Sequence, residues 1–297
     1  MNRLKLGAYN TLTVLKTALR EGNGEVFGLY LDGGVDGEIL MPQKYVANGI
    51  EIGDEVRVFV YLDQDERPIA TTETPLAEVD SFAFLKCAWV NEHGAFLSWG
   101  VMKDLFCPFR EQKQRMEVGN SYIVHVHIDE ESYRLVASAK VERFFDLAKP
   151  EYRPGQEVDL LVWQKTDLGF KVIIDNSYPG LIYADQVFRP IRTGDRTKGY
   201  ISTLRPDGKI DCTLQPTGQR YAEDFAHQLL QYLKEHDGYC DLGDKSEAED
   251  IKRRFQVSKK VYKRAIGDLY KRRLITIEPL ATCKYCLQVV GCVKHEV

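Results

Sequence analysis

Residues able to do covalent or acid–base work are few in this 297-residue chain, and they are scattered. Of the six histidines, His125 and His127 alternate along a strand-like run, His93 sits by a turn, His227 falls in a helical stretch and His236 near a helix end. No Ser/His/Asp set, phosphate-binding glycine loop or paired acidic cluster accompanies them. An enzyme is therefore not expected, and no cofactor is implied. Cys283, Cys286, Cys292 and His295 form C-x2-C-x5-C-x2-H, whose residue types suit zinc. Leu287-Gln288-Val289-Val290 between them reads as a strand, without the glycines of a zinc knuckle. The expectation is a frayed tail and no metal. Binding chemistry is better represented. Residues 251–274 hold ten Lys or Arg and one acid, Asp268, in a chain whose net charge is −4. Lys259, Lys260, Lys263, Arg264 and Lys271 are the candidates to meet phosphates. Residues 1–80 hold 7 basic and 14 acidic side chains, which would repel a phosphate backbone.

The elements that must carry these groups are legible from repetition. Gly–Asp or Gly–Asn opens an alternating strand three times: IEIGDEVRVFVYLDQDERPIATT from Ile50, MEVGNSYIVHVHIDEESYRLVASAK from Met116 and IRTGDRTKGYISTLRPDGKIDCTL from Ile191. Upstream of each lies an aromatic strand, a turn and a short apolar strand, at 25–42, 94–108 and 169–184. Before the second and third comes one further strand, carrying Trp89 and Trp163, which are read as barrel core rather than ligand-facing rings. Five short strands in about 65 residues describe a small closed barrel. The reading is mostly β: three five-stranded OB-type barrels over 1–74, 75–147 and 148–216.

After residue 216 the period changes. Apolar positions recur at helical spacing from Asp224 to Leu233, and Gly238 stops the run. Ser246 with Glu249 predicts a capping box for a second helix through Phe255. Ser258 caps a third, with the stripe Val261, Ala265 and Leu269 flanked by Tyr262 and Ile266. Leu274-Ile275-Thr276-Ile277 is a strand. Three helices and a strand are the layout of a winged helix over 217–280, followed by a tail over 281–297.

The barrels resemble S1 modules, and the phrase SKKVYKRAIGDLYKRRLI from Ser258 is similar to the winged helix of the conserved virulence factor B family. The resemblance spans residues 3–280. It implies three S1-like modules and a winged helix, RNA binding, effects on gene expression and no assigned catalysis. OB barrels bind single strands by stacking bases on exposed aromatics. Phe27, Phe96 and Phe170 are read as equivalents on the aromatic strand, where S1 modules face their ligand. The next contact position falls at Met41, Cys107 and Tyr183. Phe170 with Tyr183 therefore makes the third barrel the expected platform, and the acidic first barrel a packing or protein-contact domain.

The expected partner is single-stranded RNA, with DNA an alternative contact of the winged helix. A protein-interaction adaptor built from OB barrels is the other reading, and protein partners are not identified. The 44% apolar and 28% charged composition suits soluble globular domains. The N-terminus MNRLKLGAYNTLTVLK lacks a signal-peptide core, and no stretch approaches the roughly 20 apolar residues of a membrane span. Cys87, Cys107, Cys212 and Cys240 read as reduced thiols, so the cytoplasm is the expected location.

Overall fold

The computed structural model describes residues 3–20, 22, 24–216, 219–278 and 286–289. The first barrel comprises β1 (Ala8–Leu19), β2 (Val26–Asp32), β3 (Glu38–Pro42), β4 (Glu55–Leu62) and β5 (Pro68–Thr71). The second comprises β6 (Ser81–Val90), β7 (Gly94–Ser98), β8 (Leu105–Pro108), β9 (Ser121–Ile128) and β10 (Leu135–Ser138). The third comprises β11 (Glu157–Thr166), β12 (Gly169–Ile174), β13 (Tyr178–Tyr183), β14 (Arg196–Leu204) and β15 (Ile210–Thr213). All three close in the order first, second, third, fifth, fourth strand, with the third and fifth strands parallel. That is the OB arrangement, and the fold is mostly β as expected.

The repeated Gly–Asp/Asn phrase has one physical job in each barrel. Gly53 N–H donates to the Val14 carbonyl and Val14 N–H to the Asp54 carbonyl, each at 2.9 Å. Gly119 and Asn120 make the same pair of bonds with Cys87, and Gly194 and Asp195 with Val162. The three glycines have φ of 99°, 90° and 96°, a region that favours glycine. The first strand carries a β-bulge immediately after its bonded residue, between Val14/Lys16, Cys87/Trp89 and Val162/Gln164. A bulge adds one residue and so shifts the in–out alternation beyond it by one. A second set of glycines marks close strand approach. A Cβ on Gly28, Gly94 or Gly169 would collide with the carbonyl oxygen of Met41, Cys107 or Ile182 respectively.

The barrels fill with side chains. Val14, Leu29, Leu31, Ile39, Met41, Val58 and Val60 fill the first; Val158, Leu160, Val162, Val172, Ile174 and Ile182 fill the third. The chain divides into two compact units, 1–145 and 146–297. Within the first unit the barrels share packing. Phe59 and Tyr61 of β4 join the core of the second barrel, and the Phe59 ring meets Trp99 edge-on at 5.5 Å.

The second unit continues from its barrel into α1 (Gln219–Glu235), β16 (Tyr239–Cys240), α2 (Ala248–Phe255), α3 (Lys259–Lys271), β17 (Ile275–Glu278) and β18 (Cys286–Val289). Gly238, at φ 75°, ends α1 by donating to the Leu233 carbonyl. Ser258 caps α3, accepting from Val261 N–H at 3.2 Å. Tyr262, Ala265, Ile266 and Leu269 bury the helix against Phe225, Leu229 and Leu233 of α1. The buried Tyr262 hydroxyl donates to the Leu242 carbonyl at 2.9 Å.

Two expectations need correction. Ser246 does not cap α2: Glu247 holds that position with no side-chain cap, while Ser246 Oγ accepts from Gly243 N–H in the preceding turn. Nor is the segment beyond 280 only a tail. β18 pairs antiparallel with both β17 and β16, and Leu287 is fully buried in the helical core. This strand closes the wing because the open edges of β16 and β17 need a partner and Leu287 needs cover. Cys283, Cys292 and His295 lie outside the described residues, and of Cys286 only the strand position is described. Among the described residues no group of three or more His, Cys, Asp or Glu is placed to hold a metal ion. None of the described helices is long and apolar enough to cross a membrane.

Candidate nucleic-acid interface

The outer wall formed by the first three strands is the face on which an OB barrel can present rings to a single strand. Strand register aligns this wall across the three barrels. Its outward positions beyond the bulge are Lys16, Tyr30 and Leu40 in the first, Trp89, Phe96 and Phe106 in the second, and Gln164, Lys171 and Leu181 in the third. Only the second is aromatic at all three.

There the rings form a continuous stack. Trp89 lies flat on Phe96, with centroids 3.6 Å apart and planes 4° from parallel, and Phe96 meets Phe106 at 4.9 Å. Trp89 is 45% exposed, and its indole N–H donates to Asp104 Oδ2 at 2.9 Å. That bond fixes the ring while leaving its outer face to solvent. Trp89 was expected in the core. Simple alternation puts it in phase with the buried Cys87, but the bulge intervenes and turns it outward.

The aromatics picked from sequence occupy different surroundings. Phe96 is the central ring of this stack. Phe170, opposite Ile182, packs half-buried against the core of the third barrel. Tyr183, one residue further along β13, faces the other side; its hydroxyl accepts from Arg205, whose guanidinium lies 5.9 Å over its ring. The two therefore do not share a platform. Met41 and Cys107 are core residues, in register with Ile182 rather than Tyr183. Phe27 precedes Gly28, whereas Tyr30 is the register equivalent of Phe96. Trp163 is 9% exposed beneath Lys171 Nζ, which lies 5.1 Å over its ring. Sequence reasoning missed Tyr30 and Phe106. The signal that could have found them is the second set of glycines: Tyr30 and Phe96 each stand two residues after Gly28 and Gly94, and Phe106 pairs with Phe96.

The second set of groups lies on α3. Lys260, Lys263, Arg264 and Lys271 are exposed and Lys259 half-buried, on the side away from Ala265, Ile266 and Leu269. Among the described residues none of these five cations has a carboxylate partner. Arg272 and Arg254, by contrast, pair with Asp268 and Asp241. Unpaired cations are the ones free to take phosphates without first giving up an ion pair.

Burial shifts several titratable groups of the second and third barrels. His125, 5% exposed, stacks on Phe144 at 4.1 Å, and burial pushes its imidazole down to about 4. His127 is also shifted down by burial. Burial raises the Cys107 and Cys212 thiols to about 12, so neither is nucleophilic near neutrality.

With this geometry in hand, comparison with known proteins places the chain. Residues 6–73 match the S1 domain, and residues 227–282 match the CvfB-like winged helix domain. A conserved virulence factor B of Staphylococcus aureus is 25% identical over 268 residues, 86% of this chain and 89% of that protein. The chain is similar to conserved virulence factor B along most of its length. An uncharacterised protein of Bacillus subtilis, YitL, is 27% identical over 252 residues, 82% of this chain and 84% of that one. A solved structure from Streptococcus pneumoniae, described as a multidomain protein with nucleic acid binding domains, matches 96% of this chain and 98% of its own at 22% identity and TM-score 0.41. The S1 match covers the first barrel. The other two share its closure, bulge and glycine positions, so the virulence factor B likeness extends over a repeated architecture with one variable outer wall.

Proposed function

We propose that this virulence factor B relative is a non-catalytic RNA-binding protein. It holds single-stranded RNA on the Trp89–Phe96–Phe106 wall of the second barrel and on the phosphate-facing cations of α3. The observation that carries this reading is the three-ring stack, whose outermost ring is a solvent-exposed tryptophan. A large flat apolar surface held open to water is costly unless something covers it, and bases cover it without regard to sequence. The S1 and winged-helix matches support a nucleic-acid partner. Phosphates on Lys259, Lys260, Lys263, Arg264 and Lys271 would add affinity without sequence preference. Tyr183 offers at most one further ring on the third barrel, and Phe27 and Phe170 are left to packing. By binding transcripts the protein would influence gene expression, acting in the cytoplasm, where its buried thiols Cys87, Cys107, Cys212 and Cys240 stay reduced.

The test is binding of labelled RNA to the full chain. An unstructured oligomer should bind more tightly than a hairpin stem of equal length, because a paired base has no free face to stack. Equal affinity for both would point to shape or charge alone. No salt-dependent binding to either would favour the adaptor reading.

A further inference from the structure

Two histidines alternate on β9 with the valines of the second core. Val124 and Val126 fill the barrel, so His125 and His127 face out from it. Outward side chains of a strand ordinarily meet water, yet His125 is 5% exposed and His127 only half-buried with its Nδ1 sealed off. Their cover is residues 141–145, one short helical turn and the residue after it, which finish where the first compact unit finishes. We propose that this segment is a strap that stays closed over β6 and β9 while His125 and His127 are neutral and opens when they are protonated. The device is independent of bound RNA.

Ring contacts hold the strap down. Phe144 lies on His125 with centroids 4.1 Å apart and planes 14° from parallel, and it reaches His127 at 4.8 Å. Phe145 packs on Phe82 at 5.5 Å, and Phe82 in turn meets His125 edge-on at 4.7 Å. Val141 is fully buried. At the outer edge Arg143 pairs with Glu111 at 3.3 Å and Lys113 with Glu142 at 2.5 Å. Both cations are solvent-exposed, where an ion pair contributes little.

This contact accepts neutral imidazoles only. Among the described residues neither Nδ1 has a hydrogen-bond partner. A neutral ring can leave that nitrogen as a bare acceptor; a charged ring carries an N–H there, with nothing to receive it. The two rings lie 6.1 Å apart, so a second charge is repelled by the first. Around His127 stand Glu111, Asp129 and Arg143, and both carboxylates are already engaged: Glu111 with Ser138 and Arg143, Asp129 with Ser132 and Arg110. His125 faces the His127 ring and the Asp80 backbone. Burial holds both imidazoles below their ordinary range, His125 at about 4. A cleft of 620 Å³, lined also by Asp80, Glu130 and Glu131, reaches His127 and Phe144 and gives water a way in as the strap lifts.

Opening returns the imidazoles to water, where they hold a proton below about pH 6.5. Lower pH therefore favours the open strap. Between pH 7 and pH 5 His125 alone moves the equilibrium about twentyfold toward opening. The next residue, Asp146, is anchored in the second unit by its N–H to the Ser177 carbonyl and by the Tyr178 hydroxyl. Five residues released beside that anchor add at most roughly 18 Å of free chain between the units.

The experiment is hydrogen–deuterium exchange of the full chain at pH 7 and pH 5, corrected for intrinsic rates. It is read on the strap, where Ala139 and Arg143 N–H bond the Glu111 and Lys140 carbonyls, and on β7. At pH 5 the strap should exchange well ahead of β7, and its opening should exceed that at pH 7 by about twentyfold or more. In His125→Phe/His127→Phe, whose rings stack but do not titrate, strap opening should be the same at both pH values. A wild-type strap that exchanges only together with β7, or one that ignores pH, overturns the inference even where the double variant does not fold. An equal pH response in the folded double variant overturns it as well.

Discussion

Phe96→Ala removes the middle ring of the stack on the second barrel while leaving the barrel's interior untouched, since Ala95 and Leu97 fill the core from the neighbouring positions. Each base stacked on an aromatic is worth about 1–3 kcal/mol. At about 1.4 kcal/mol per tenfold, loss of one stacked base weakens RNA binding by about five- to 140-fold. The fold loses two ring pairs at about 0.5–1.5 kcal/mol each, which a domain of ordinary stability survives. The structure supplies the readout. Trp99 and Trp163 are 2% and 9% exposed and Trp89 is 45%, so an aqueous quencher such as iodide reports mainly on Trp89. Added RNA should shield Trp89 from iodide in the wild type, and in Phe96→Ala only at correspondingly higher RNA concentration. Phe170→Ala is the contrasting variant. It should lower stability, by less than the 3–5 kcal/mol typical of a fully buried Phe, and leave the affinity of the folded molecules nearly unchanged. The reasoning is refuted if folded Phe96→Ala binds RNA as well as wild type, if RNA leaves Trp89 as quenchable as before, or if Phe170→Ala proves the more damaging to binding.

Replacing Lys259, Lys260 and Lys263 with Gln keeps helix propensity nearly constant and should weaken binding to unrelated RNA sequences alike. Titration at several salt concentrations should show the log–log slope shallower by about two units, at roughly 0.7 per lost phosphate contact; an unchanged slope would mean these cations touch no phosphate. Acidification should destabilise the second barrel. The His125 imidazole sits near 4 when folded against about 6.5 when unfolded, so the unfolded chain takes up its proton first. That stability is complete above about pH 6.5 and is lost as the pH falls through about 4, approaching ~3 kcal/mol for this group. Thermal unfolding at pH 7 and pH 5 should show much of the loss, and His125→Phe should flatten it; an NMR titration placing His125 near its ordinary value would contradict the burial argument. Tyr262→Phe deletes the hydroxyl bonded to Leu242 and leaves that carbonyl without the bond, so the winged helix should melt earlier by about 1–3 kcal/mol in denaturant titrations.

Much of the architecture was local and therefore readable. Each Gly–Asp or Gly–Asn phrase needs a glycine at positive φ, which makes it recur visibly, and it announced three barrels before any contact was known. The helical period of α3 and its Ser258 cap likewise depend on neighbours within a turn or two, and they fell where expected. What the phrase does with its bonds was not readable, because its partners Val14, Cys87 and Val162 lie about 30–40 residues upstream. Those long-range bonds flank the bulge, and the bulge decides which way Trp89 points. Period-two alternation carries no record of a one-residue slip, so Trp89 read as core, and Phe170 was equated with Phe96 although register pairs it with a core position. The run Leu287–Val290 read as a strand, but its membership of the wing did not, because the place of Cys286–Val289 is fixed by two partner strands and one buried leucine. The packing of the first two barrels is more remote still, since Phe59 meets Trp99 only when two barrels, each complete by its own hydrogen bonds, come together.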